Sequence, residues 1–117
     1  MITIPALFEL MVSTKSNWLL IKLIKLMTEL CRAEERLLPK LQAKYIEMMS
    51  TPKAKSVQFE LIKSVFTTRL GEDPTLLQAA RDMLLNQFLK ANDPNLAYLG
   101  LDAFQMLLTN LRERQYS

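Results

Sequence analysis

The sequence predicts an all-α fold from three observations. Glycine is scarce, with two in 117 residues, while leucine and methionine recur throughout. That composition suits long helices with short connections better than strands with glycine-rich turns. Apolar residues return at three- and four-residue spacing in segment after segment. Two Asp-Pro pairs, Asp73-Pro74 and Asp93-Pro94, lie 20 residues apart, and each opens such a segment.

The punctuation divides the chain into about six helices. The first runs near Pro5–Val12 and ends in the polar Ser13-Thr14-Lys15-Ser16. The second, Asn17–Cys31, can be capped by Ser16 or Asn17. Within it, NWLLIKLIKLMTEL (Asn17–Leu30) carries nine strongly apolar residues in fourteen. Lys22, Lys25, Glu29 and Arg32 fall on one narrow stripe, so the rest of the surface is apolar. The expectation is a helix enclosed on most sides, because an interfacial membrane helix would show a broad charged face. The apolar run is also shorter than the about 20 residues that span a bilayer, and it is interrupted by charge.

A third helix covers Glu34–Met49, where Pro39 either kinks the helix or marks its true first turn. Ser50-Thr51-Pro52 closes it. The fourth covers Lys55–Leu70 and stops at Gly71, expected to form a left-handed C-terminal cap. In the fifth and sixth, Asp supplies the cap and Pro occupies the first helical position, where its missing N–H is no loss.

Superposing the last two starts pairs Leu76 with Leu96, Ala80 with Gly100, Asp82 with Asp102 and Leu84 with Phe104. Each unit is a helix of about four turns plus a tight turn, so a hairpin recurs about every 40 residues, the period of HEAT and armadillo arrays. The fold expected is an α-α superhelix, a HEAT/armadillo-like solenoid of about six helices in three hairpins, with residues 1–117 as one segment. The sixth helix, Pro94–Leu111, looks built for two neighbours. Leu96, Leu99, Gly100, Ala103, Leu107 and Leu111 form one stripe, and Tyr98, Leu101 and Leu108 extend the apolar surface around a second side. Gly100 in a helix interior costs about 1 kcal/mol relative to Ala, which points to a close backbone approach.

The chain contains no histidine and one cysteine. Histidine-dependent nucleophile systems and thiolate metal clusters are therefore excluded, and two isolated glycines form no phosphate-binding loop. Glu34-Glu35 and Glu72-Asp73 read as solvated or capping groups, not as converging catalytic carboxylates. No enzyme is expected; no catalytic, cofactor-binding or metal residue is assigned. Cys31 reads as a buried, inert thiol. Cysteine usage and the absence of a signal-peptide pattern in MITIPALFELMV point to the cytoplasm.

The net charge is +3, which permits contact with an anionic surface without demanding it. Lys40, Lys44, Lys53 and Lys55 form one loose basic cluster, and Lys15, Lys22 and Lys25 another. They could meet acidic headgroups, an acidic peptide or nucleic acid, or simply be the wet sides of buried helices. No aromatic stacking residues are interleaved with them, so nucleic acid is not expected. Trp18, Phe59, Phe66, Phe88 and Phe104 all lie in apolar helical patterns and are expected in the core.

Three stretches carry a family resemblance: PALFELMVSTKSNWLLIKLIKL (Pro5–Leu26), SVQFELIKSV (Ser56–Val65) and DPNLAYLGLDAF (Asp93–Phe104). In this order and separation they resemble the trunk of the large adaptin chains of heterotetrameric clathrin-type adaptor complexes. Asn17-Trp18 followed by LLIKLIKL is most similar to delta-adaptin of adaptor complex 3. The resemblance implies a section of an adaptin N-terminal trunk, a solenoid without catalysis that holds a small sigma chain, a medium mu chain and a beta-type large chain. It further implies recruitment by Arf-family GTPases or an acidic membrane surface, peripheral placement on Golgi or endosomal membranes, and coated-vesicle sorting towards lysosome-related compartments. An adaptin trunk is several times longer than this chain. The alternatives are another HEAT-repeat scaffold, of the phosphatase-scaffold or nuclear-transport-receptor type, or a peripheral lipid-binding helical module. In an excised solenoid section, Ile4–Met11 or the last helix would expose apolar surface and invite self-association.

Overall fold

A computed structural model describes residues 4–116, with side chains through position 113. Positions 1–3 and 117 of the expected single segment lie outside the described residues. Six α-helices are present among the described residues: α1 Ile4–Ser13, α2 Asn17–Ala33, α3 Leu38–Met49, α4 Lys55–Thr67, α5 Pro74–Leu84 and α6 Pro94–Tyr116. No strand interrupts them, and the fold is all-α.

The helices alternate between two layers. In one, α4 lies between α2 and α6; in the other, α3 packs against α5. The end of α1 stands beside α3 across a cleft that Met11 and Met48 help to line. Consecutive helices thus form three hairpins, α1/α2, α3/α4 and α5/α6, in a slab of 42 × 38 × 20 Å.

The helix starts follow local chemistry. Ser16 caps α2, its hydroxyl accepting from the Leu19 amide at 3.2 Å. Asp73 accepts from the amides of Thr75 (2.9 Å) and Leu76 (3.4 Å), and Asp93 from the Asn95 amide at 2.9 Å. In each case a side-chain oxygen satisfies amides that have no partner within the helix. Pro39 resolves as a first-turn proline: residues Glu35–Leu37 form a separate 3-10 turn, and α3 begins at Leu38. The expected third helix from Glu34 is therefore two pieces.

Gly71 departs from expectation. No glycine among the described residues has positive φ, so it is not a left-handed cap. The helix ends at Thr67, and Arg69–Glu72 continue as a 3-10 turn. Glycine is needed there for space, because a Cβ would stand 2.7 Å from the Val65 carbonyl oxygen. Gly100 meets its expectation: a Cβ there would lie 2.8 Å from Leu89 Cδ2 and 3.1 Å from Phe88 Cβ. Those contacts come from Leu85–Leu89, a π-type turn closed by the Lys90 amide donating to the Leu85 carbonyl at 2.9 Å. The fifth unit is thus three α-turns and a wider one.

The core runs continuously through all three hairpins, with Ile24, Met27, Leu41, Leu61, Phe66, Leu76 and Phe88 among its members. Two expectations about burial fail. Helix α2 buries Leu20, Leu23, Ile24, Met27, Thr28 and Cys31 on one side only, while Leu19 and Leu26 are exposed. Trp18 is 88% exposed and Phe104 also lies at the surface, so neither belongs to the core. The matched positions Leu84 and Phe104 part company, one buried and one exposed. The common cause is position: α2 and α6 flank their layer, and each has an outward side that no helix among the described residues covers.

Candidate interaction surfaces

Polar staples hold the hairpins in register and define which surfaces are rigid. The Tyr45 hydroxyl, fully buried, donates to the Ile24 carbonyl at 3.0 Å and lies 2.9 Å from Thr28 Oγ1, which itself reaches the same carbonyl at 2.7 Å. Two hydroxyl protons serve three contacts, so the α2 backbone and α3 share one closed network. Burial pushes the Tyr45 hydroxyl pKa well up, with the hydrogen bond to Thr28 opposing. Gln42 Nε2 donates to the Leu70 carbonyl at 3.1 Å, and Asn110 Nδ2 to the Phe66 carbonyl at 2.8 Å. The latter satisfies a helix-terminal carbonyl of α4 from α6.

The turns at one end are tied by charge. Arg69 pairs with Glu35 at 2.7 Å and with Glu72 at 3.0 Å, bridging the turns before α3 and α5. Hydrogen bonds from Arg36 to its side chain hold Glu34 down to about 2. Behind these turns a cavity of about 240 Å³ is lined by Thr28, Cys31, Thr68, Arg69 and Asn110. Cys31 is buried there, and burial raises its thiol pKa while Arg69 partly opposes the rise. A thiol so held has little thiolate character, in keeping with the sequence reading. Among the described residues no cluster of acidic or cysteine side chains could hold a metal ion.

A groove of about 610 Å³ runs between α3 and α5, lined by Met49, Met83, Lys53, Asp82, Gln58 and Asn86. The Gln58 side-chain amide oxygen Oε1 in its wall is buried without a hydrogen-bond partner among the described residues.

The two lysine clusters differ. In the first, Lys44 pairs with Glu47 at 3.4 Å, Lys53 donates to Thr51 at 2.7 Å, and Lys55 donates to Gln87 at 2.5 Å while standing 5.7 Å over the Phe88 ring. These ammonium groups fasten local structure, while Lys40 is exposed. Lys15, Lys22 and Lys25 are exposed around the start and outward side of α2, together with Trp18. No helix among the described residues is long and apolar enough to cross a membrane.

Apolar side chains are exposed along α6, where Tyr98, Leu101, Phe104, Leu108 and Leu111 face outward, and also at Leu10 and Val12 of α1 and at Leu85. The expected second apolar side of this helix is therefore real, and no helix among the described residues covers it. Sequence reasoning missed Tyr45, Thr28, Gln58 and Asn110. A lone polar residue on an apolar stripe is the only signal they give, and it does not say which carbonyl it will meet.

No family model matches the chain, and no solved structure matches it. Curated relatives do. The chain is 32% identical over 103 residues to the AP-3 complex subunit delta of Arabidopsis thaliana, covering 88% of this chain and 12% of that relative. It is 33% identical over 101 residues to the AP-3 complex subunit delta of Saccharomyces cerevisiae, covering 86% and 11%. It is 30% identical over 109 residues to the AP-3 complex subunit delta-1 of Bos taurus, covering 89% and 9%. The chain thus spans only about a tenth of the length of the curated relatives it matches.

Proposed function

We propose, from the premise that this chain resembles delta-adaptin of the AP-3 complex over most of its length, that it is a structural and interaction module of an adaptor large subunit. The observation that carries the reading is the similarity itself, which extends over 86–89% of the chain to delta subunits of a plant, a yeast and a mammal. A two-layer helical array fits that role. Its rigid core supplies shape, its flanking faces supply contact area, and no step of the proposed role requires catalysis.

In this reading the array holds neighbouring adaptor subunits, namely the small sigma chain, the medium mu chain and the beta-type large chain. Through them the assembly meets an Arf-family GTPase and an acidic membrane surface. The place of action is the cytoplasmic side of Golgi or endosomal membranes, and the task is sorting of cargo towards lysosome-related compartments. Co-expression with the small sigma chain tests this. The sigma chain should co-purify with a longer stretch of subunit that contains this region, and its complete absence from that material would overturn the assignment.

A second reading rests on Trp18. An exposed tryptophan beside Lys15, Lys22 and Lys25 is the pairing of groups that settles at a headgroup boundary. On this reading α2 touches acidic lipid directly. Vesicles rich in anionic lipid should retain the protein at low salt and release it as salt rises; no retention at low salt would eliminate this reading.

A further inference from the structure

Residues 50–54, STPKA, form the non-helical joint of the middle hairpin, between α3 and α4. They hold the only place in the chain where a hydroxyl residue precedes proline, Thr51-Pro52. Proline has no N–H and restricts the residue before it to extended backbone. That is the form in which kinases requiring proline after the acceptor take up a hydroxyl. The dipeptide alone is a weak signal; its surroundings are more specific. Thr51 is exposed, and it belongs to the middle hairpin, away from the open flanks at α2 and α6.

The Thr51 hydroxyl donates to the Met48 carbonyl at 3.1 Å and accepts from Lys53 Nζ at 2.7 Å. An ammonium group thus already stands where a phosphate on Oγ1 would lie. Thr51, Lys53 and Lys44 line one cleft of about 260 Å³ beside α1, with Met11, Val12 and Leu20 among its other walls. Glu47, paired with Lys44 at 3.4 Å, is the one carboxylate among the residues that line it. Helix α4 begins directly after the joint, and its N-cap, Ala54, makes no side-chain hydrogen bond to the first-turn amides. A phosphate carries close to two negative charges and three acceptor oxygens. In this joint it finds two ammonium groups and a positive helix end. The end of α3 opposes it, since the Met48 carbonyl repels negative charge, so the group turns from that carbonyl toward the lysines.

We infer that Thr51 is a phosphorylation site for a proline-directed kinase, and that Lys44 and Lys53 receive the phosphate in the cleft between α1 and α3. The Thr51 oxygen attacks the γ-phosphorus of a nucleoside triphosphate, and the bond from that phosphorus to the β–γ bridging oxygen breaks. The nucleoside diphosphate leaves with the electron pair, and the hydroxyl proton passes to a base of the kinase. The product gives up a neutral contact with Met48 for charge-assisted ones that tie the joint to α3. This goes beyond the adaptor reading and does not rest on it.

Incubation of the full chain with ATP and a purified proline-directed kinase tests the inference, using a kinase that modifies a control threonine-proline peptide. Mass spectrometry should find one phosphate, on Thr51. Thr51→Val and Pro52→Ala should lose it, whereas Thr51→Ser and Ser50→Ala should keep it, all with unchanged circular dichroism. Followed by phosphorus NMR, the phosphate should titrate below its ordinary value of about 6, because neighbouring ammonium groups favour the dianion. Lys53→Gln should move that titration back up. An unmodified chain, a phosphate on another residue, or a titration at the ordinary value that ignores Lys53 would each overturn the inference.

Discussion

Helices α2 and α4 lie side by side in the same layer, yet the less apolar of the two is the more buried. Helix α4, KSVQFELIKSVFT, buries eight of its 13 residues, including Gln58, Glu60 and Ser64. Helix α2, NWLLIKLIKLMTELCRA, buries six of 17 and leaves its tryptophan in solvent. The difference is one of place. Helix α4 has α2 on one side, α6 on the other and α5 across the slab, whereas α2 has a covered side and an open one. In a layered array the number of neighbours sets burial, and composition follows only when the neighbours belong to the same chain.

The largest expected effects lie in α4. Phe66→Ala should cost about 3–5 kcal/mol by removing a fully buried ring from the middle of the layer, whereas Leu26→Ala on the open side of α2 should stay within about 0.5 kcal/mol. Urea unfolding of both variants measures the contrast directly. Equal losses would mean that α2 is as enclosed as α4.

The two glycines extend the contrast from side chains to backbone. Gly71→Ala should destabilise by about 1–3 kcal/mol, since its Cβ meets a fixed carbonyl oxygen in the turn that ends α4. Gly100→Ala should cost less, because the closest atom is the end of the Leu89 side chain and a gain of about 1 kcal/mol in helix propensity offsets part of the strain. Thermal unfolding of the pair should rank them in that order.

The link between α2 and α3 is smaller again and depends on pH. Tyr45→Phe should cost about 1 kcal/mol, with Thr28 still bonded to Ile24. Because burial raises the Tyr45 pKa above its unfolded value, its contribution is complete below the ordinary tyrosine value of about 10 and is lost as pH rises through the folded one. Denaturation midpoints between neutral and alkaline pH should therefore fall more steeply in the parent chain than in Tyr45→Phe. The smallest effect belongs to the exposed turns. Arg69→Ala should change stability by less than about 1 kcal/mol, and raising the salt should shrink that further.

Much of the fold was legible because it rests on local chemistry. Ser16, Asp73 and Asp93 start helices for the reason their side chains suggest, and Gly100 marks a close approach. What was illegible depends on partners far along the chain. The small residue at Gly71 answers to Val65 in the preceding helix, not to a left-handed turn. The π-type turn at Leu85–Leu89 has no signature in its residues. Trp18 and Phe104 sit in apolar patterns indistinguishable from those of Phe66 and Phe88, and only the layer order separates them. The same limit applies to the surfaces. The second apolar side of α6 was visible in Tyr98, Leu101 and Leu108, but that no described helix packs on it required knowing the order of helices in the layer.

Trp18 is the only tryptophan in the chain, and its fluorescence tests the central claim that the flank of the layer is open while its middle is closed. The native protein should emit as a water-exposed indole, be quenched freely by iodide, and shift little on unfolding. A blue-shifted native emission that moves to the red in urea would contradict the account and place the outer side of α2 under cover.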